Sequence, residues 1–431
     1  MATQPKLAMI PSGYKDGKLY SALPTDGAGD FDITRGSDAT RINKDGLIET
    51  VTGNTPRLNY PLIDGVGSGC PSLLLEPQST NLFPRSEDFI NAVWQKNQSS
   101  ILANNIISPD GTLNASKLVE DNSNNFHRII EDVILLAGTH SHSVFAKAGE
   151  RKYFVLRNNI NGSNLNACFD LENGVVIYNG FDEAKIEYYG NGWYKCSIID
   201  IDPSGGSTSF SLMTSDIAVS SNSIPSYQGD GTSGIYIFGA QIEQSSYATS
   251  YIPNFGTALG VTRLADTANS AGNASTFNDS EGVLFAEISA LDEIGTNQSI
   301  SISNGSTSNR ILFRYNSTNQ IRVIVISDTD FVFDKTVNIS NLKDYNKFSI
   351  KYKENDFALW INGFELGTDN SGLPPVGLSA LAFHDGSGVN DFYGNTKQIQ
   401  YYNTALTDLE LETLTSYTSF NAMALAQNYT I

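Results

Sequence analysis

Basic residues are scarce in this sequence. Its 431 residues carry 27 Lys and Arg against 46 Asp and Glu, a formal charge of −19, and no run of Lys or Arg interrupts the acidic balance. A surface of that sign repels phosphate backbones and anionic headgroups, which argues against nucleic-acid binding. Cysteine is scarcer still. Cys70, Cys168 and Cys196 are spread over more than a hundred residues, which excludes a disulfide framework and a CxxC metal knuckle and leaves free, buried thiols as the expectation. No stretch approaches the roughly 18 apolar residues that a membrane-spanning helix requires. Met1-Ala2-Thr3-Gln4-Pro5-Lys6 lacks the charged-then-apolar build of a signal peptide, so the chain is expected to be made soluble in a cytoplasm. Work outside a cell would then need another exit, such as release of assembled particles at lysis. Charged residues make up only 17% of the chain and hydrophobic ones 40%, too few charges for a disordered tail or a coiled coil and enough apolar material for packed cores.

What the chain does have is turn and strand material. There are 37 Gly, 22 Phe and 20 Tyr, with abundant Ser, Thr and Asn, and this composition favours half-buried strands joined by tight turns. Residues 1–84 show little periodicity and many turn pairs, among them Asp16-Gly17, Asp45-Gly46 and Asp64-Gly65. They read as an irregular arm with too few alternating apolar positions for a core of its own, ordered only by packing on another surface; Leu73-Leu74-Leu75 is its best anchor. Residues 85–265 alternate with period two, as in Arg151–Arg157, Trp193–Ile198 and Ile235–Ile242, and predict a β-sandwich. Residues 266–280 are small and polar and read as a linker. Strand patterning resumes over 281–431. Ile311, Phe313 and Tyr315 alternate with Arg310, Leu312 and Arg314, and Asn362-Gly363 predicts a type I′ hairpin turn. Thr407-Asp408-Leu409-Glu410 fits a capping box and predicts a short helix over 407–417. The fold class is therefore mainly β, two β-sandwich domains preceded by an irregular N-terminal arm.

Several segments resemble a pattern that recurs in tail-fibre, head-fibre and related virion proteins of tailed bacteriophages. They are Ser37–Glu49, Thr55-Pro56-Arg57-Leu58-Asn59-Tyr60, Leu73–Leu82, Ser86–Phe89 with Trp94, Ser143–Arg151, Gly190–Cys196, Gly239–Glu243, Ala248–Pro253 and Val261-Thr262-Arg263. The middle module looks like a carbohydrate-binding jelly roll. The last, about 275–428, is similar to the laminin-G or concanavalin-A-like sandwich, through Leu359-Trp360-Ile361-Asn362-Gly363 and through Phe392–Asn395 followed by Ile399–Leu406. The resemblance implies a virion protein, with residues 1–84 as the attachment and oligomerisation arm, core roles for Trp94, Trp193 and Trp360, and in some laminin-G-like domains a Ca²⁺ site.

A glycanase needs two carboxylates across a cleft. The nearest acidic run, Asp408-Leu409-Glu410-Leu411-Glu412, falls on the predicted helix, and Glu281, Glu287 and Asp292 are no better placed, so no catalytic residue is assigned. His140 and His142 would share a face of a strand, half of a metal site at most, and are read as exposed or hydrogen-bonded histidines. Gly65-Val66-Gly67-Ser68-Gly69 has no Lys or helix after it and reads as a turn. The best sugar-binding candidate is the loop His384–Tyr393, in which Asp385, Asn390, Asp391 and Tyr393 combine carboxylates, an amide and an aromatic ring. Asp385, Asn390 and Asp391 could equally hold Ca²⁺, and a plain structural loop is the other reading. These readings lead to a non-enzymatic virion protein, a tail or head fibre released by lysis. Its partners would be other virion proteins bound through the arm, host-surface polysaccharide, and further copies of itself in a dimer or trimer, with no nucleic acid and no membrane insertion. The alternatives are a purely structural capsid, collar or tail decoration and a polysaccharide depolymerase. Removal of residues 1–84 is expected to leave soluble sandwiches that fail to join particles.

Overall fold

The alternating segments form strands almost where their periodicity places them. The computed structural model describes residues 3–160, 162–202, 204–292 and 297–417, so the last part of the 281–431 module lies outside the described residues. The middle sandwich consists of two six-stranded antiparallel sheets. One runs in the order Gln95–Asn97, His127–Leu135, Gly206–Ser215, Tyr153–Ile160, Ser163–Asp170, Val175–Asn179. The other runs Ser99–Ile106, Ala115–Glu120, Gly234–Glu243, Gly138–Ala148, Trp193–Asp202, Glu183–Tyr188. Between them Leu118, Ile129, Phe154, Leu156, Phe210 and Ile237 close an apolar core, to which alternate residues of most strands contribute. Trp94, Trp193 and Trp360 are all buried, as the resemblance implied.

The second sandwich opposes a five-stranded sheet to an eight-stranded one. The five run Asp330–Asn338, Gln320–Ser327, Arg310–Ser317, Gln298–Ser303, Ala380–Ala382. The larger sheet is built on Phe364–Asp369, Phe357–Ile361, Asn346–Lys353, Glu281–Ala290 and Gly394–Tyr402. Asn362 and Gly363 both take positive φ, 51° and 90°, the backbone a type I′ turn demands. The helix spans Asp408–Thr415 with the capping box complete: the Thr407 hydroxyl accepts from the Glu410 N–H, and the Glu410 carboxylate accepts from the Thr407 N–H.

The arm differs most from its expectation. Three of its short strands belong to the eight-stranded sheet. Leu7–Met9 and Ser72–Leu75 share the free edge of Gly394–Tyr402, and Leu58–Asn59 extends beyond Ser72–Leu75. Leu7, Met9, Phe31, Ile33, Leu73 and Leu75 lie in the core of the second sandwich itself. The arm is therefore part of a domain whose other residues are about two hundred or more positions away. Its strands are two to four residues long and cannot bury an apolar face alone, so they borrow one. The predicted linker is likewise structural. Thr267–Asn269 pairs with Phe31–Thr34, and Ala268 and Ala271 are buried, their small side chains permitting close packing. The arm also touches the middle sandwich, where the hairpin turn at Asp64-Gly65 meets Gly190 so closely that a Cβ on Gly65 would fall 2.2 Å from the Gly190 Cα.

Candidate functional site

The motif residues that carried the sequence resemblance converge on one buried ion network where arm and sandwiches meet. Arg57 donates to Glu76 at 2.5 Å and also to Asp266; Arg35 reaches Asp266 at 2.8 Å and Arg263 reaches Glu76 at 2.9 Å. All five side chains are essentially solvent-free. Burial opposes the charge of Glu76, but the Arg263 and Arg57 guanidinium groups outweigh it and hold the carboxyl well below its usual range. These residues join segments; none is free to meet a ligand.

Beside the network, residues of the arm and the middle sandwich enclose a cleft of about 780 Å³. Glu87 and Asp110 line it, and the Asn114 amide donates to both, at 3.3 and 2.9 Å. Burial pushes the Glu87 carboxyl up to about 7, against a hydrogen bond from the Tyr251 hydroxyl. Burial also opposes the charge of Asp110, but Ser108, Thr112 and Asn114 hold it low by hydrogen bonding. Phe255, at the rim, is exposed.

The predicted loop lies elsewhere, against the outer face of the five-stranded sheet. Ile311, Phe313 and Tyr315 point into the core, so Arg310, Leu312 and Arg314 point away from it. Cross-strand register sets Ser299 opposite Arg314 and Arg314 opposite Arg322. Asp385 sits over this row. Its carboxylate lies 3.4 Å from Arg310 and 3.9 Å from Arg314, and accepts from the Ser387 N–H and hydroxyl and from the Asn390 amide. Burial opposes its charge, but these hydrogen bonds and Arg310 keep its proton affinity low. The structure thus brings Asp385 and Asn390 together. Asp391 bridges to Ser299 and has its carboxyl raised by burial, with His384 opposing. Tyr393 is not part of this face: it packs against the core, and burial pushes its hydroxyl up to about 12.

The Ca²⁺ reading does not fit this chemistry. Asp385 spends its oxygens on Ser387, Asn390 and two guanidinium groups, and a cation would have to displace Arg310 and Arg314. Among the described residues no group of three His, Cys, Asp or Glu is arranged to hold a metal ion. His140 and His142 are buried rather than exposed. His142 sits edge-on to Phe83 and Phe210 at 5.3 and 5.0 Å, and burial pushes it down to about 3. Glu281 and Glu287 pair with Lys353 and Lys397, and Asp292 accepts from Ser246, so all three are engaged. Cys168 and Cys196 are buried free thiols, whereas Cys70 is exposed in the glycine-rich turn.

Reading the sequence for acids and amides in loops missed the other half of this face. Arg322 makes a two-pronged pair with Asp334, at 2.7 and 2.5 Å. Phe331 stands opposite Ile326 on the same outer row, 57% exposed, with the Arg322 guanidinium 5.7 Å from its ring centre. The signal was present in the outward half of the alternation Arg310-x-Leu312-x-Arg314. Exposed aromatic, bidentate ion pair, serine hydroxyl and loop amide together offer an apolar platform flanked by donors and acceptors.

No protein-family model matches the sequence, and no curated protein matches it. Solved structures share parts of the shape. The CBM40 of Ruminococcus gnavus IT-sialidase, bound to α2,3-sialyllactose, is 16% identical with a TM-score of 0.30, over 33% of this chain and 86% of that one. A leech intramolecular trans-sialidase is 18% identical with a TM-score of 0.28, over 33% of this chain and 24% of its own. The heptameric SAP-like pentraxin of Limulus polyphemus is 12% identical with a TM-score of 0.25, over 32% of this chain and 71% of its own.

Proposed function

We propose that this chain is a non-catalytic, glycan-binding component of a tailed-phage virion, a tail or head fibre that holds host-surface polysaccharide on the outer face of its second sandwich. The observation that carries the sugar-binding part is Phe331, an exposed ring beside the Arg322–Asp334 pair. The C–H face of a pyranose stacks on such a ring while its hydroxyls bond the neighbouring charges. The ordered motifs over residues 37–263 support the virion part. Attachment to other virion proteins through residues 1–84, assembly as a dimer or trimer that multiplies weak contacts, and release by lysis belong to the same proposal. One observation favours the purely structural alternative: the resemblance-carrying residues Arg57, Glu76 and Arg263 are spent inside the ion network.

Binding of the intact chain to host envelope fractions tests the sugar-binding part, with Phe331→Ala as the control. The expected result is retention by a polysaccharide fraction that falls at least tenfold in the variant, with no release of reducing ends. Retention by no fraction would leave the structural alternative; a sustained rise in reducing ends would overturn the non-catalytic reading.

A further inference from the structure

The outer face of the middle sandwich carries an anomaly of its own. Ile129, Val133 and Leu135 face the core, which turns Arg128, Ile130 and Asp132 outward. Two strands away, Arg157 points to the same side, in register with Ser211, and Ser211 is also the partner of Ile130. The two guanidinium groups therefore approach each other across Ser211, whose hydroxyl lies 3.5 Å from Arg128. No carboxylate of the described residues pairs with either. Arg128 and Arg157 are both lowered, by burial first, and the one charge that acts on Arg128 is that of Arg157.

Two like charges, one buried and one partly buried, without a counter-ion among the described residues are costly. Both are nevertheless held in place. Arg157, 8% exposed, donates to the Asn166 side chain at 2.7 Å and to the Asn222 carbonyl at 2.9 Å, and Asn166 is itself fixed by the carbonyls of Ser221 and Ser223. Arg128 lies over the Phe126 ring at 4.5 Å, and its Nε is buried without a partner among the described residues. The acid nearest along this face, Asp132, sits one row further and is engaged by Ser209.

We propose that this face binds a carboxylate-bearing sugar, the carboxylate lying between Arg128 and Arg157. A carboxylate supplies the missing charge and matches the planar donor edges of two guanidinium groups. The adjoining row, Ser209, Asn159 and Asn164, offers a hydroxyl and amides to sugar hydroxyls. This site is on a different sandwich from the Phe331 face and does not depend on it.

The test is an array carrying hexuronate- and sialate-containing oligosaccharides, the same glycans with carboxyl groups reduced to alcohols, and sulfated glycans, probed with the intact protein. At least one carboxylated glycan should be retained and its reduced counterpart lost. Arg128→Gln and Arg157→Gln should each weaken retention tenfold or more, while Lys18→Gln, a surface change on the arm, leaves it unchanged. Arg128 is the less buried of the pair, so an unfolding midpoint unchanged in Arg128→Gln separates lost binding from lost structure. Retention of no carboxylated glycan, equal retention of reduced or sulfated forms, or retention that survives Arg128→Gln would overturn the proposal.

Discussion

The two sandwiches present the same kind of surface, an outer sheet face with arginines on neighbouring strands or rows, and they balance its charge differently. On the second sandwich Arg310 and Arg314 are answered by Asp385 and Arg322 by Asp334. On the middle sandwich no carboxylate of the described residues answers Arg128 or Arg157. The same residue type thus serves two ends. A matched guanidinium holds a loop or a strand in place and leaves a face nearly neutral, suited to uncharged sugars stacking on Phe331. An unmatched pair stores an electrostatic debt that a ligand can settle, which suits an acidic one.

The comparison is broken most severely where the matching is complete. Arg57→Ala leaves Glu76 and Asp266 short of a buried cation, and should destabilise the protein by about 3–5 kcal/mol in urea unfolding. A loss below about 1 kcal/mol would mean that the network is not structural. Its pH dependence has a definite sign. Glu76 is held below its unfolded value, so its contribution is present above about pH 4.5 and is lost as pH falls further.

A direct contrast between the two faces comes next. Asp385→Ala strands Arg310 and Arg314 under the loop and should cost about 3 kcal/mol, whereas Arg128→Met removes one of two repelling cations and should change stability by less than about 1 kcal/mol. Equal losses in the two variants would erase the distinction. A smaller and opposite pH effect belongs to the middle sandwich. Burial, with Asp132 adding to it, pushes the Glu131 carboxyl up to about 7. Its folded value lies above the unfolded one, so its contribution is full below about pH 4.5 and is lost as pH rises towards 7. Glu131→Gln should flatten that part of the stability profile; an unchanged slope would show that Glu131 ionises freely.

Much of the fold was legible because period-two alternation over five or more residues has one cheap explanation, a strand with one buried face. Tyr153–Ile160, Asn346–Lys353 and the Asn362-Gly363 turn follow from it directly. The arm was not legible. Strands such as Leu7–Met9 and Ser72–Leu75 are too short to show a period, and they share a partner, Gly394–Tyr402, that lies hundreds of residues away. The candidate sites were half legible for a related reason. Loop composition pointed to Asp385 and Asn390, but a polar strand residue is legible only as outward-facing. Whether Arg310 meets a carboxylate, or Arg157 meets none, depends on which strands become neighbours.

The strand Leu7–Met9, zipped against Tyr401 and its neighbours, sets an order on biosynthesis. A ribosome makes Tyr401 almost four hundred residues after Leu7. The middle sandwich, whose strands all lie between residues 95 and 243, can close while the rest is still being made. The second sandwich must keep its earliest strands waiting, with Leu7, Met9 and Phe31 uncovered, until Gly394–Tyr402 has been made. Its closure is thereby coupled to synthesis of Gly394–Tyr402, and products truncated before that strand would emerge with one finished domain and one sticky, unclosed edge.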